Sequence, residues 1–151
     1  MTPPFDVQRI DHLVLRVRDL ARSIRFYGQV LGCRVERQRE HLGLAHLCAG
    51  ASMIDLVDVA GKLGARGGEP AGVEGRNVDH LCLRIEPFDE TAVRAHLAHF
   101  GIAPAGPAEI NFGAEGDGLS LYFQDPDGNT IELKGPASGV AGPRRGGDPG
   151  G

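Results

Sequence analysis

Residues 11–17 read DHLVLRV and residues 79–85 read DHLCLRI. Two stretches so alike, 68 positions apart, mark an internal repeat, and a repeat decides the architecture because each copy must fold as the same supersecondary unit. Further along, after a one-residue gap, Ile24 aligns with Val93 and Leu31-Gly32 with Phe100-Gly101; later, Met53-Ile54-Asp55-Leu56 matches Thr130-Ile131-Glu132-Leu133. Each copy opens with an alternating apolar run that reads as a strand. A helix follows: Asp19 is a suitable N-cap, Leu20, Ile24, Tyr27 and Leu31 are spaced for one buried face, and Gly32 is a stop. In the second copy Asp89 caps the helix, Val93, Leu97 and Phe100 line its buried side, and Gly101 ends it. Strand-like runs complete each copy, the last two being SLYF (120–123) and TIEL (130–133) around the turn signal DPDGN (125–129). The chain therefore predicts an α+β fold of two βαβββ modules, at about residues 8–60 and 77–134, within a single domain 1–134. The stretch 60–76 has six glycines, so residues 61–76 read as a glycine-rich linker or flap. Residues 135–151, with seven glycines and three prolines, read as a disordered tail.

A chain of 151 residues with 41% hydrophobic and 24% charged positions has the composition of one soluble globular domain. At that length the core needs neither disulfide nor metal to form, so a bound metal would serve chemistry. No run approaches the roughly 18 apolar residues of a membrane span, and MTPPFDVQRI lacks the features of a signal peptide; the expectation is a cytoplasmic protein with no membrane partner. Cys33, Cys48 and Cys82, widely spaced and without a CxxC, read as small buried hydrophobes in a reducing compartment. A net charge of -4 argues against nucleic acid as a partner. Residues 9–40 carry eight arginines against four acids, of which Arg18, Arg22 and Arg25 recur at helical spacing as a solvated face.

Side chains alternate across a strand. If Leu13, Leu15 and Val17 meet the helix, His12 and Arg16 face the other way, and His80, Cys82, Arg84 and Glu132 do the same in the second copy. Two such modules related by a pseudo-twofold would bring His12, His80, Asp55 and Glu132 towards one centre. Two imidazoles and one or two carboxylates suit nickel, cobalt, zinc, manganese or ferrous iron and leave coordination positions open. Asp55, one methylene shorter than a glutamate, reaches such an ion directly or through water. His41, His46, His96 and His99 have no partner in the repeat and are expected to be exposed or locally hydrogen-bonded. Arg16, Arg84 and Tyr122 share the metal side by parity, offering two cations and a phenol to an anionic small-molecule substrate.

The motifs IDHLVLRVRDLARSIRFYGQVLG, VDHLCLRI and YFQDPDGNTIEL resemble the vicinal-oxygen-chelate superfamily, which includes glyoxalase I, bleomycin-resistance proteins, fosfomycin-resistance thiol transferases and extradiol dioxygenases. The resemblance spans residues 9–134. It implies paired βαβββ modules forming a curved, cleft-lining mixed sheet around a divalent metal ion that the substrate chelates through two adjacent oxygens, and commonly a homodimer. In ligand pattern the chain is most similar to glyoxalase I, with His12, Asp55, His80 and Glu132 standing for its metal ligands. That similarity implies a lyase or isomerase in which the metal polarises a carbonyl and a carboxylate, Glu132 or Asp55, moves the proton. It also implies glutathione as a co-substrate held by Arg16, although Val59 stands where that family's glutathione-binding asparagine is sought. The extradiol dioxygenases resemble the chain through a His12, His80 and Glu132 triad, with Tyr122 ten residues before the glutamate. A metal-dependent thiol transferase and a non-catalytic, ligand-sequestering protein of the bleomycin-resistance kind are the remaining alternatives.

Overall fold

The computed structural model describes residues 1–138, and the chain divides into two compact units, the first ending at Arg76 and the second beginning at Asn77. The first comprises β1 (His12–Val17), α1 (Leu20–Gln29), β2 (Arg34–Arg39), β3 (Leu44–Ala49) and β4 (Ser52–Asp58); the second comprises β5 (His80–Arg84), α2 (Glu90–His99), β6 (Glu109–Gly113), β7 (Gly116–Gln124) and β8 (Thr130–Lys134). Each unit carries one four-stranded mixed sheet, ordered β1-β4-β3-β2 in the first and β5-β8-β7-β6 in the second. The first strand runs parallel to the last, and the other pairs are antiparallel. The repeat seen in the sequence is thus a repeat of topology, and the α+β expectation of two βαβββ modules holds.

Local chemistry explains the element ends. The Asp19 carboxylate accepts the Arg22 N–H at 2.9 Å and Asp89 accepts that of Ala92 at 3.0 Å, which satisfies amides a helix start leaves unpaired. Past each helix the chain turns through a glycine with positive φ, Gly32 at 69° and Gly101 at 72°, a conformation that costs glycine little. In the 125–129 turn the Asp125 carboxylate accepts the N–H groups of Asp127 and Asn129 and the Asn129 side-chain amide, an Asx arrangement that sets the register of β7 on β8.

Leu15, Val17, Ala45, Leu47, Ile54 and Leu56 form the helix-facing core of the first unit with Tyr27 of α1. Leu121, Phe123, Ile131 and Leu133 do so in the second with Leu97 of α2. Each such large side chain contributes roughly 1.5–3 kcal/mol by leaving water, so the sheets stand on their apolar faces and their other faces are available for polar residues. Of the cysteines only Cys33 is buried; Cys48 is half-buried and Cys82 exposed, because β3 and β5 turn the latter two to the polar faces.

The segment after β4 is not a loose connector. A short 3₁₀ turn at Gly64–Gly67 packs against β4 and is clasped by Arg16, whose guanidinium donates to the carbonyls of Gly64 at 3.0 Å, Gly67 at 3.2 Å, Glu69 at 3.1 Å and also Gly68. At the C-terminal side, the Gly135 N–H donates to Leu119 O and that of Ser138 to Asp117 O, so the chain stays bonded to β7 through Ser138. The rest of the expected tail, 139–151, lies outside the described residues. No described helix is long and apolar enough to cross a membrane.

Candidate metal centre

In the second unit β5, β8 and β7 bring Cys82, Glu132 and Tyr122 into one row across the polar face, because Cys82 pairs with Glu132 and Glu132 with Tyr122 in register. Glu132 is almost fully buried. Burial alone pulls its carboxyl up, but the neighbouring Cys82 and Tyr122 donors and the charge of His80 help to outweigh that and hold it below the usual glutamate range. Desolvation first, and then the charge of the same carboxylate, pushes Tyr122 up to about 12 and Cys82 to about 11, so both stay protonated donors at neutral pH. His80, two residues before Cys82 on β5, places Nε2 3.1 Å from Glu132 Oε2, while its Nδ1 lies 2.7 Å from Asp79 Oδ2. Carboxylate oxygens thus stand at both ring nitrogens of His80.

The first unit repeats the plan with one exchange. Asp55 on β4 lies opposite Val14 of β1 and His46 of β3. It is buried, and its Oδ2 lies 2.9 Å from His46 Nδ1. Its Oδ1 is buried with no hydrogen-bond partner. His12, two residues before Val14, has Nδ1 2.7 Å from Asp11 Oδ1, and that hydrogen bond, with a smaller contribution from the charge of Asp55, raises the imidazole above its ordinary range.

These observations fit a divalent ion. Donor atoms bound about 2.1 Å from one ion at near-right angles sit roughly 3 Å apart, close to the His80–Glu132 separation. Asp11 and Asp79 engage the far nitrogens of His12 and His80, the arrangement by which outer carboxylates fix the tautomer and orientation of ligating histidines. The orphaned Asp55 Oδ1 is a buried acceptor in need of a partner. Among the described residues no group of three or more His, Cys, Asp or Glu side chains is close enough to hold an ion; His12 with Asp55, and His80 with Glu132, are each an incomplete set.

Arg16, Arg84 and Tyr122 have partners other than those the sequence suggests. Both arginines are engaged within their own unit: the Arg16 clasp uses four of five guanidinium N–H groups, and Arg84 pairs with Glu115 at 2.7 Å and Glu86 at 2.9 Å. The two free cations expected for an anionic substrate are therefore committed to carbonyls and carboxylates. Tyr122 sits beside both His80 and Glu132, with its ring centroid 5.8 Å from that of His80. His41 is exposed, and His96 and His99 pack edge-on against Phe100. His46 is different: it stands at the register position that Tyr122 occupies in the second unit, so it does have a repeat partner. Sequence comparison missed it because His46 precedes Asp55 by nine residues and Tyr122 precedes Glu132 by ten. Asp11 and Asp79 were also missed, although the repeated Asp-His dipeptide carried the signal.

The raised Cys82 thiol gives a direct check. Near pH 8 only about one such thiol in a thousand is thiolate, so iodoacetamide should label Cys82 slowly despite its exposure, as read by peptide mass spectrometry. Glu132→Gln, which removes the charge opposing ionisation, should speed that labelling several-fold; equal rates would mean the thiol does not sense Glu132.

Residues 9–133 match the family model described as the glyoxalase/bleomycin resistance protein/dioxygenase superfamily. The chain is 32% identical over 127 residues to virulence protein STM3117 of Salmonella typhimurium, covering 84% of this chain and 83% of that one. The crystal structure of that protein superposes with a TM-score of 0.69 over 88% of this chain and 100% of its own. Lactoylglutathione lyase of Salmonella typhimurium is 30% identical over 130 residues, 83% of this chain and 90% of the enzyme. The fosfomycin resistance protein FosX of Mesorhizobium loti, 20% identical with a TM-score of 0.62 over 88% of this chain and 96% of its own, shares the fold.

Proposed function

Because the chain belongs to the glyoxalase/bleomycin resistance protein/dioxygenase superfamily, we propose that it is a divalent-metal-dependent lyase or isomerase of glyoxalase I type, acting on a small substrate that presents two vicinal oxygens. The observation that carries the reading is the convergence of His80 Nε2 and Glu132 Oε2, with its counterpart in His12 and the unpartnered Asp55 Oδ1. His12, Asp55, His80 and Glu132 would hold nickel, cobalt, zinc, manganese or ferrous iron. When bound, the ion supplies a Lewis acid that polarises a substrate carbonyl.

The protein's own groups supply the rest. Asp11 and Asp79 hold the imidazoles in the orientation that leaves Nε2 for coordination. Glu132, kept ionised by its donors, is the carboxylate that takes and returns the substrate proton, while Tyr122 and Cys82 remain protonated and steady its charge. Neither Arg16 nor Arg84 is drawn on, so the scheme needs no anionic group on the substrate. The family resemblance further supports a homodimer of soluble, cytoplasmic protein.

Protein purified without a histidine tag or chelator should carry about one divalent ion per pair of ligand sets, sediment as a dimer at micromolar concentration, and convert methylglyoxal and glutathione to lactoylglutathione. Metal-free, monomeric protein would overturn the reading. Tyr122, a phenol beside both His80 and Glu132, favours a second reading, a ferrous ring-cleaving dioxygenase; oxygen uptake with a catechol and no lyase activity would select it.

A further inference from the structure

We propose that His46 is the positioning residue for the first unit's carboxylate: its imidazole ties down Asp55 Oδ2 so that Oδ1 is presented to the metal ion as a fixed, single-oxygen ligand. The inference rests on the metal reading above and deepens it.

Three observations support it. His46 lies directly opposite Asp55 in the β3–β4 ladder, and Nδ1 reaches Oδ2 at 2.9 Å with the Asp55 side chain only 8% exposed. The other carboxylate oxygen is buried without a partner. A buried acceptor oxygen left in that state is unfavourable, and a cation at Oδ1 would offset it. Finally, His46 holds the station of Tyr122, which hydrogen-bonds the carboxylate of Glu132 in the second unit, so both modules brace their carboxylate from the same neighbouring strand.

The exchange of residue types is geometrically matched. Asp55 is a methylene shorter than Glu132, so its oxygens lie nearer the sheet. The imidazole Nδ1 lies nearer its own backbone than a phenolic oxygen does. A short acceptor thus meets a short donor, where the second unit has a long acceptor and a long donor. With Oδ2 occupied, Asp55 cannot chelate through both oxygens, and its ring partner removes the rotation by which the two would interchange.

Titration of zinc and of cobalt into metal-free protein, by competition with a chromogenic chelator and by cobalt d–d absorption, tests this without reference to activity. His46→Phe, which keeps a flat ring but no donor, should weaken affinity tenfold to a hundredfold and alter the cobalt spectrum. His46→Asn, whose amide nitrogen can stand near the Nδ1 position, should restore affinity to within about threefold and return the spectrum. In an Asp55→Ala background, His46→Phe should have no further effect, because a positioning residue acts only through what it positions. Unchanged affinity in His46→Phe, or an equal loss with and without Asp55, would overturn this inference alone. Should His46→Phe fail to fold, His46→Asn still decides, since its loss of affinity beyond tenfold would contradict rescue by a donor. Wild-type protein that binds neither ion would overturn the metal reading itself.

Discussion

His80→Ala should strip the purified protein of its divalent metal and leave the fold standing. The ring places a donor atom 3.1 Å from Glu132, and no other described imidazole of the second unit lies on that face, since His96 and His99 belong to α2 and pack on Phe100. A remaining partial set binds a borderline metal far more weakly than a complete one, so metal content measured by mass spectrometry should fall below about a tenth of the wild-type value. Stability should move by no more than about 1 kcal/mol. The second unit's core of Leu97, Leu121, Phe123, Ile131 and Leu133 lies on the opposite face of the sheet, and the His80 side chain is 38% exposed. Undiminished metal in a folded His80→Ala protein would remove His80 from the site, and with it the pairing of the two DH motifs as ligands.

Gly64→Ala should give a large loss of stability. A Cβ at that position would lie 1.9 Å from the carbonyl oxygen of Asp58, 2.6 Å from its carbon and 2.8 Å from Val59 Cα. All three are backbone atoms at the end of β4, so no side chain can swing aside. Relief requires the 3₁₀ turn to lift, which would pull the Gly64 carbonyl from Arg16 Nε and loosen the whole clasp. An overpacked, backbone-limited contact of this kind costs about 2–4 kcal/mol, read as a fall in melting temperature of roughly 5–15 °C for a chain of this size. Gly72→Ala is the control: nothing lies within 4 Å of its Cβ, so it should shift stability by no more than about 0.5 kcal/mol. A melting temperature for Gly64→Ala equal to that of the control would show that the turn does not press on β4.

Much of this molecule is local and so was legible in the chain itself. The DHLVLRV and DHLCLRI repeat, the aspartate caps, the DPDGN turn and the strict alternation along β1, β5 and β8 depend on neighbours a few residues away. They were enough to specify two βαβββ units, the faces bearing His12, His80 and Glu132, and the polar side for Arg16, Arg84 and Tyr122. What those side chains meet is another matter. Arg16 is separated by 48 residues from the Gly64 carbonyl it bonds, and Arg84 by 31 from Glu115; such pairings exist only once strands and turns have been assembled. Strand register likewise decided His46: two hairpins of unequal loop length carry it and Tyr122 to equivalent stations from unequal sequence spacings, and only cross-strand pairing, which brings Cβ atoms about 4.5–5.5 Å apart, puts an imidazole on Asp55. Residue type and periodicity determined which groups share a face; the hydrogen-bonded ladders determined which of them touch, because contact between strands is set by register and not by distance along the chain.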